Sequence, residues 1–80
     1  MTPITSPEDL GRVLKMCRKK LHLTQIEAGG KFNLTQKTVS NIENGRPGVQ
    51  LETLFRLMSA LNLEIHLVSR DKPYKGEAPW

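Results

Sequence analysis

TQIEAGGKFNLTQKTVSNIENG, residues 24–45, reads as two short helices joined by a tight turn. Thr24 precedes the first segment and Glu27 follows three residues later. That spacing is the capping-box pattern, in which hydroxyl and carboxylate each satisfy a backbone N–H that the first helical turn leaves unbonded. Asn33 tolerates the left-handed conformation that a tight turn needs. Thr35 is a second N-cap, and Gly45, behind Asn44, is a natural stop. Gly29 and Gly30 weaken the first helix by up to ~1 kcal/mol each relative to alanine. Lacking a Cβ, they allow it to sit close against the second.

Residues 36–44, placed on a helix at about 100° per residue, separate into two faces. Val39 and Ile42 point one way, with Thr38 at their edge. Gln36, Lys37, Ser40, Asn41 and Asn44 cover the opposite arc. Every side chain on that arc donates hydrogen bonds, and none is acidic, so nothing on it repels phosphate. A solvated face looks similar, but a helix in a DNA major groove needs this set: long amides and a lysine for base edges, short polar groups near phosphate. Gln36 suits the adenine N6/N7 edge and Lys37 the guanine O6/N7 edge. Thr35, Thr38, Ser40, Asn41 and Asn44 are secondary candidates. Thr24 and Gln25, at a helix N-terminus that attracts phosphate, and Arg46, in the turn 45–48, would hold the DNA backbone without carrying sequence information.

LTQ at 23–25 followed by LTQKTVSNIENG at 34–45 resembles the helix-turn-helix signature of the Xre/phage-repressor family. The likeness extends over about residues 10–62. The chain departs from the family pattern at Ala28, where leucine is usual, at Gly29, where alanine is, and at Asn33, where glycine is. The resemblance implies a lambda-repressor-like, all-α domain of four or five helices. It also implies that Gln25 binds a backbone phosphate and orients the reading residues, and that Arg18 bridges to Glu43.

The rest of the chain fits around this unit. Eighty residues allow one domain and a modest core. A single cysteine excludes an internal disulfide. Apolar runs are too short to span a bilayer, and no signal-peptide pattern opens the chain, so a cytoplasmic protein is expected. The net charge is +4, with eight Lys/Arg against two acids over residues 12–46, a balance that favours an anionic partner. Residues 1–5 read as a flexible terminus. Ser6-Pro7-Glu8-Asp9 starts a helix whose apolar stripe is Leu10, Val13, Leu14, Cys17 and Leu21. Pro47 and two glycines break the chain at 45–48. Leu51, Leu54, Phe55, Met58 and Leu61 form a further helical stripe with Leu57 at its flank, closing a DNA-binding domain over residues 6–62.

Residues 63–69 alternate: Leu63, Ile65 and Leu67 against Glu64 and His66. Period two predicts a half-buried β-strand. Nothing else in the chain would pair with it, so two copies are expected to pair these dimerisation strands across a two-fold axis. His66 lies on the polar side, and His22 and Cys17 do not join it in a ligand set, so no metal or cofactor is expected. No nucleophile–base pair or phosphate loop suggests an enzyme. Residues 70–80 are rich in proline, glycine and charge and read as a flexible tail. That tail carries Tyr74 and Trp80, aromatic anchors suited to a partner's pocket.

A domain of this size with a C-terminal strand and a short tail ending in tryptophan resembles the HipB-type antitoxins. That resemblance implies a homodimeric repressor that binds a palindromic operator in its own promoter. It also implies a HipA-type serine/threonine kinase toxin as partner, engaged by the tail. A stand-alone Xre-family or phage-type repressor without a toxin is the alternative.

Overall fold

The computed structural model describes residues 3–71, and four helices account for its regular structure: α1 (Pro7–Lys20), α2 (Gln25–Gly30), α3 (Gln36–Glu43) and α4 (Leu51–Ala60). Three begin on a hydroxyl cap. Ser6 Oγ accepts from the Asp9 N–H, Thr24 Oγ1 from the Glu27 N–H and Thr35 Oγ1 from the Thr38 N–H, each at 3.1 Å. Glu27 answers Thr24 by accepting from its backbone N–H at 2.8 Å, which completes the capping box.

All four helices end in the same manner. A residue with positive φ turns the chain out of the helix: His22 (58°), Asn33 (60°), Gly45 (70°) and Asn62 (58°). The next N–H then reaches back to a carbonyl in the last turn. Leu23 donates to Arg18, Leu34 to Gly29, Arg46 to Asn41 and Leu63 to Met58, at 2.8–3.2 Å. This reverse turn satisfies carbonyls that the helix leaves free, and it aims the following side chain at the preceding turn. In three of the four cases that side chain is leucine, and Leu23, Leu34 and Leu63 all pack against the core. The first two junctions are near repeats, His22-Leu23-Thr24-Gln25 and Asn33-Leu34-Thr35-Gln36. In each, one residue ends a helix, the next docks, the third caps and the fourth opens the new helix.

The core gathers Leu14, Ala28, Val39, Ile42, Leu57, Met58 and Leu61 from all four helices, with Leu14, Val39 and Leu57 the largest fully buried side chains. Burying each such side chain contributes about 1.5–3 kcal/mol. α3 packs on both α1 and α2, and α2 also rests on α4. Two glycines set these distances. At Gly11 a Cβ would lie 2.6 Å from the Ile42 carbonyl oxygen and closer still to that of Glu43, so α1 and α3 meet backbone to backbone. At Gly29 a Cβ would collide with the Leu34 carbonyl and approach Val39 Cγ2 to 3.1 Å.

Several expectations need correction. Leu57, placed at the flank of the last stripe, is its centre, while Leu51 (67% exposed) and Phe55 (47%) face outward. Leu21 is exposed because α1 ends there, and Leu23, turned inward by His22, replaces it. Of the glycine pair only Gly29 makes the close approach; a Cβ on Gly30 would meet open space. No strand occurs among the described residues, 63–69 included. A ladder needs a second strand, which one copy lacks, and Leu63 is already engaged as the docking residue that ends α4. Ile65 and Leu67 are exposed. Tyr74 and Trp80 lie outside the described residues. Among the described residues, no helix is long and apolar enough to cross a membrane, and no three His, Cys, Asp or Glu side chains group to hold a metal ion.

Candidate nucleic-acid interface

The polar arc of α3 is presented by its apolar one. Val39, Ile42 and Glu43 are buried, so the rotation of α3 about its axis is fixed. Gln36, Lys37 and Asn44 are therefore exposed, with Thr38, Ser40 and Asn41 half-buried along the same helix. The Lys37 side chain makes no hydrogen bond among the described residues, whereas Asn44 Nδ2 donates to Ser40 Oγ at 3.3 Å. Thr35 uses its hydroxyl twice, accepting from the Thr38 N–H and donating to Thr38 Oγ1 at 2.9 Å. Its proton is thus spent within the helix, while that of Thr38 remains for a partner. The Thr24 hydroxyl also caps, accepting from the Glu27 N–H.

Beneath this surface lies a buried ion pair. Arg18 Nε donates to Glu43 Oε2 at 2.6 Å and Nη2 to Glu43 Oε1 at 3.0 Å, a two-pronged contact between α1 and α3. Arg18 Nη1 donates to the Leu23 carbonyl at 2.8 Å, which ties the first junction to the same group. These bonds to Glu43, and its charge, raise the Arg18 pKa above the ordinary arginine value against the opposing effect of burial. A third donor completes the cluster. Gln25 Nε2 reaches Glu43 Oε1 at 3.1 Å, and Gln25 Oε1 accepts from Gln36 Nε2 at 3.4 Å. A continuous chain of polar contacts therefore runs from the core to the exposed amide at the start of α3. Among the described residues no buried side-chain nitrogen or oxygen lacks a partner.

Arg46 stands beyond the end of α3. With Thr38 and Asn41 it lines a shallow groove of about 230 Å³ whose other wall is Gln50 and Thr53 of the α4 start. Gln50 and Thr53 were not legible as site residues in the sequence. The only signal is position, since Gln50 precedes the apolar stripe of α4 as its cap and makes no side-chain capping bond.

Residues 14–68 match the family model described as Helix-turn-helix. Antitoxin HipB of Escherichia coli O6:H1 (strain CFT073) is 34% identical over 64 residues, which span 80% of this chain and 68% of that protein. The ImmF control region 10 kDa protein of Bacillus phage phi105 is 34% identical over 59 residues, 74% of this chain and 66% of that one. Among solved structures, a chain of a HipA–HipB–O2–O3 complex superposes with a TM-score of 0.82 at 31% identity, covering 88% of this chain and 99% of that one.

Proposed function

The chain belongs to the helix-turn-helix family, among the HipB-type antitoxins, and from that membership we infer that it is a DNA-binding repressor of a toxin–antitoxin module. It binds a near-palindromic operator as a homodimer, acts in the cytoplasm, and holds a HipA-type kinase toxin. The observation that carries this reading is the α3 surface: a donor-rich, acid-free arc locked outward by Val39, Ile42 and the Arg18–Glu43 pair. Two such helices would enter adjacent major grooves about 34 Å apart. Gln36 and Lys37 read base edges. Thr38, Ser40, Asn41 and Asn44 add contacts along the groove. Thr24, Gln25 and Arg46 hold phosphates, while Thr35 acts mainly as the cap of α3. The exposed Leu51, Phe55, Ile65 and Leu67 supply apolar area for the second copy, and residues 70–80 with Tyr74 and Trp80 supply the toxin contact.

Binding to sequences selected from a random duplex pool tests the DNA reading. Gln36→Ala should lose about 1–3 kcal/mol on the selected operator and discriminate less at one position per half-site. Unchanged affinity for both operator and random DNA would remove Gln36 from the reading set. The phage relative favours a plain repressor as the second reading. Deleting residues 74–80 separates the two, because operator binding should survive while capture of the kinase is lost.

A further inference from the structure

We propose that Glu64 and His66 choose how two copies of this chain join: Glu64 of each copy faces His66 of the other, which fixes one antiparallel register, centred on Ile65. The proposal rests on the homodimer reading, to which it adds the register and the two residues that select it.

Beyond α4 the chain carries a row of unused backbone groups. The Leu63 N–H donates to the Met58 carbonyl at 2.8 Å, and from Glu64 to Val68 no backbone–backbone hydrogen bond is made among the described residues. Such a row is a template for another strand. Ile65, Leu67 and Val68 lie exposed along it. The run is bounded by the positive φ of Asn62 at one end. At the other, the Asp71 N–H donates to Ser69 Oγ at 3.3 Å. A second copy of the same run fits it, because the charges are self-complementary in one way of pairing.

Side chains directly opposite on antiparallel strands share a face. Apolar residues must therefore oppose apolar ones, and the two-fold axis passes through a single residue. Centred on Ile65, Leu63 meets Leu67, Glu64 meets His66 and Ile65 meets its own copy. Centred on Glu64, two carboxylates oppose one another, which destabilises. Centred on His66, two imidazoles oppose, Glu64 faces Val68 and Leu63 faces Ser69. Centred on Leu67, His66 faces Val68 and Ile65 faces Ser69. Glu64 and His66 already lie on one side of the run, with His66 Nε2 2.9 Å from Glu64 Oε2 and both side chains exposed.

The backbone agrees. In an antiparallel ladder, opposed pairs alternate between those that exchange both N–H···O bonds and those that exchange none. Leu63 has spent its N–H on α4, so its pair with Leu67 is of the unbonded kind, and so is the central Ile65 pair. The bonded pairs are then Glu64 with His66, twice by symmetry, and their amides are among the unused ones. Unbonded pairs bring Cα atoms to about 4.5 Å, which packs the two isoleucines together on the axis.

Cysteine cross-linking reads the register. In the full chain carrying Cys17→Ala, residues 64, 65, 66 and 67 are replaced by cysteine in turn. Cα atoms about 4.5 Å apart lie within the span of a disulfide, so Ile65→Cys should give the largest fraction of cross-linked dimer under mild oxidation. A maximum at Glu64→Cys, His66→Cys or Leu67→Cys overturns the register. So does an equally low yield at all four from a chain that sedimentation shows to be dimeric. Charge exchange, with Cys17 unchanged, reads the selection. His66→Glu sets carboxylate against carboxylate twice and should raise the dimer Kd by about threefold to thirtyfold. Glu64→Lys, which sets an ammonium against each imidazole, should raise it too. Mixed, these two variants should form a heterodimer in preference to either homodimer, because the lysine then meets a glutamate and His66 meets Glu64. Within either variant chain positions 64 and 66 stay ill matched, so no intrachain contact produces that preference. A mixture that assembles in statistical proportion overturns the role of Glu64 and His66. A parent chain that stays monomeric at millimolar concentration overturns the homodimer reading itself.

Discussion

Residues 22–25 and 33–36 differ only at their first position, His22 against Asn33, and fold into the same local structure. Each places a positive-φ residue, a docking leucine, a threonine cap and an opening glutamine in register. Their glutamines nevertheless meet different fates. Gln25 is half-buried on the Arg18–Glu43 pair, while Gln36 is exposed and donates to Gln25. The local sequence determined the turn. The third element packed against it determined whether the glutamine was drawn inward or left at the surface.

Removing the anchor should have the largest effect. Glu43→Ala strands Arg18 in the core and should cost about 3–5 kcal/mol in urea or thermal unfolding. The first junction should suffer with it, because Arg18 also holds the Leu23 carbonyl. A cost near zero would mean that the pair is incidental to the difference between the glutamines.

The glycines between the junctions sharpen the comparison next. Gly29→Ala would drive a Cβ into the Leu34 carbonyl, at the second junction, and should destabilise by about 1–3 kcal/mol. Gly30→Ala, one residue on, meets nothing and should stabilise by about 0.4–1 kcal/mol. Adjacent substitutions of opposite sign in one melting experiment would establish that α2 is held against the second junction by Gly29 alone. Equal effects would contradict it.

The smallest effect distinguishes the caps. Only the first junction has a reciprocal carboxylate: Glu27 accepts from the Thr24 backbone N–H, and that bond lowers its pKa below the ordinary glutamate value. A lowered folded-state pKa contributes stability that is complete above the unfolded value of about 4.3. That contribution disappears as the pH falls through the lower folded value. The melting difference between the parent chain and Glu27→Gln should therefore be present at neutral pH and vanish in strong acid. A difference that persists in acid would show that Glu27 acts without its charge. Because this carboxylate is exposed, the effect is small.

Much of this architecture is local and could be read from the letters. Ser6, Thr24 and Thr35 cap helices through contacts three residues away, and the turn at Asn33 and the stop at Gly45 are equally short-range. The polar arc of α3 follows from helical spacing alone. Other features were misjudged because spacing cannot rank faces. Leu51, Phe55 and Leu57 lie on one amphipathic helix, yet only contact with the remainder of the core makes Leu57 its centre and leaves the other two exposed. Leu63 fits a strand by alternation, and in the single chain the αL turn at Asn62 sets it against the end of α4; pairing of residues 63–69 with a second copy is a matter between chains.

By itself the sequence determined where α1, α2 and α3 start, where α3 stops and which residues lie on the polar arc of α3, because those choices rest on hydrogen bonds within one turn. Only the tertiary structure decided that Gly11 and Gly29 are contact points, that Gln25 is half-buried while Gln36 is exposed, and that Glu43 accepts bonds from both Arg18 and Gln25. Those bonds join residues 25 and 18 positions apart. Burial and bond partners at such separations exist only once the helices are packed, since a carboxylate left in water would take its hydrogen bonds from solvent.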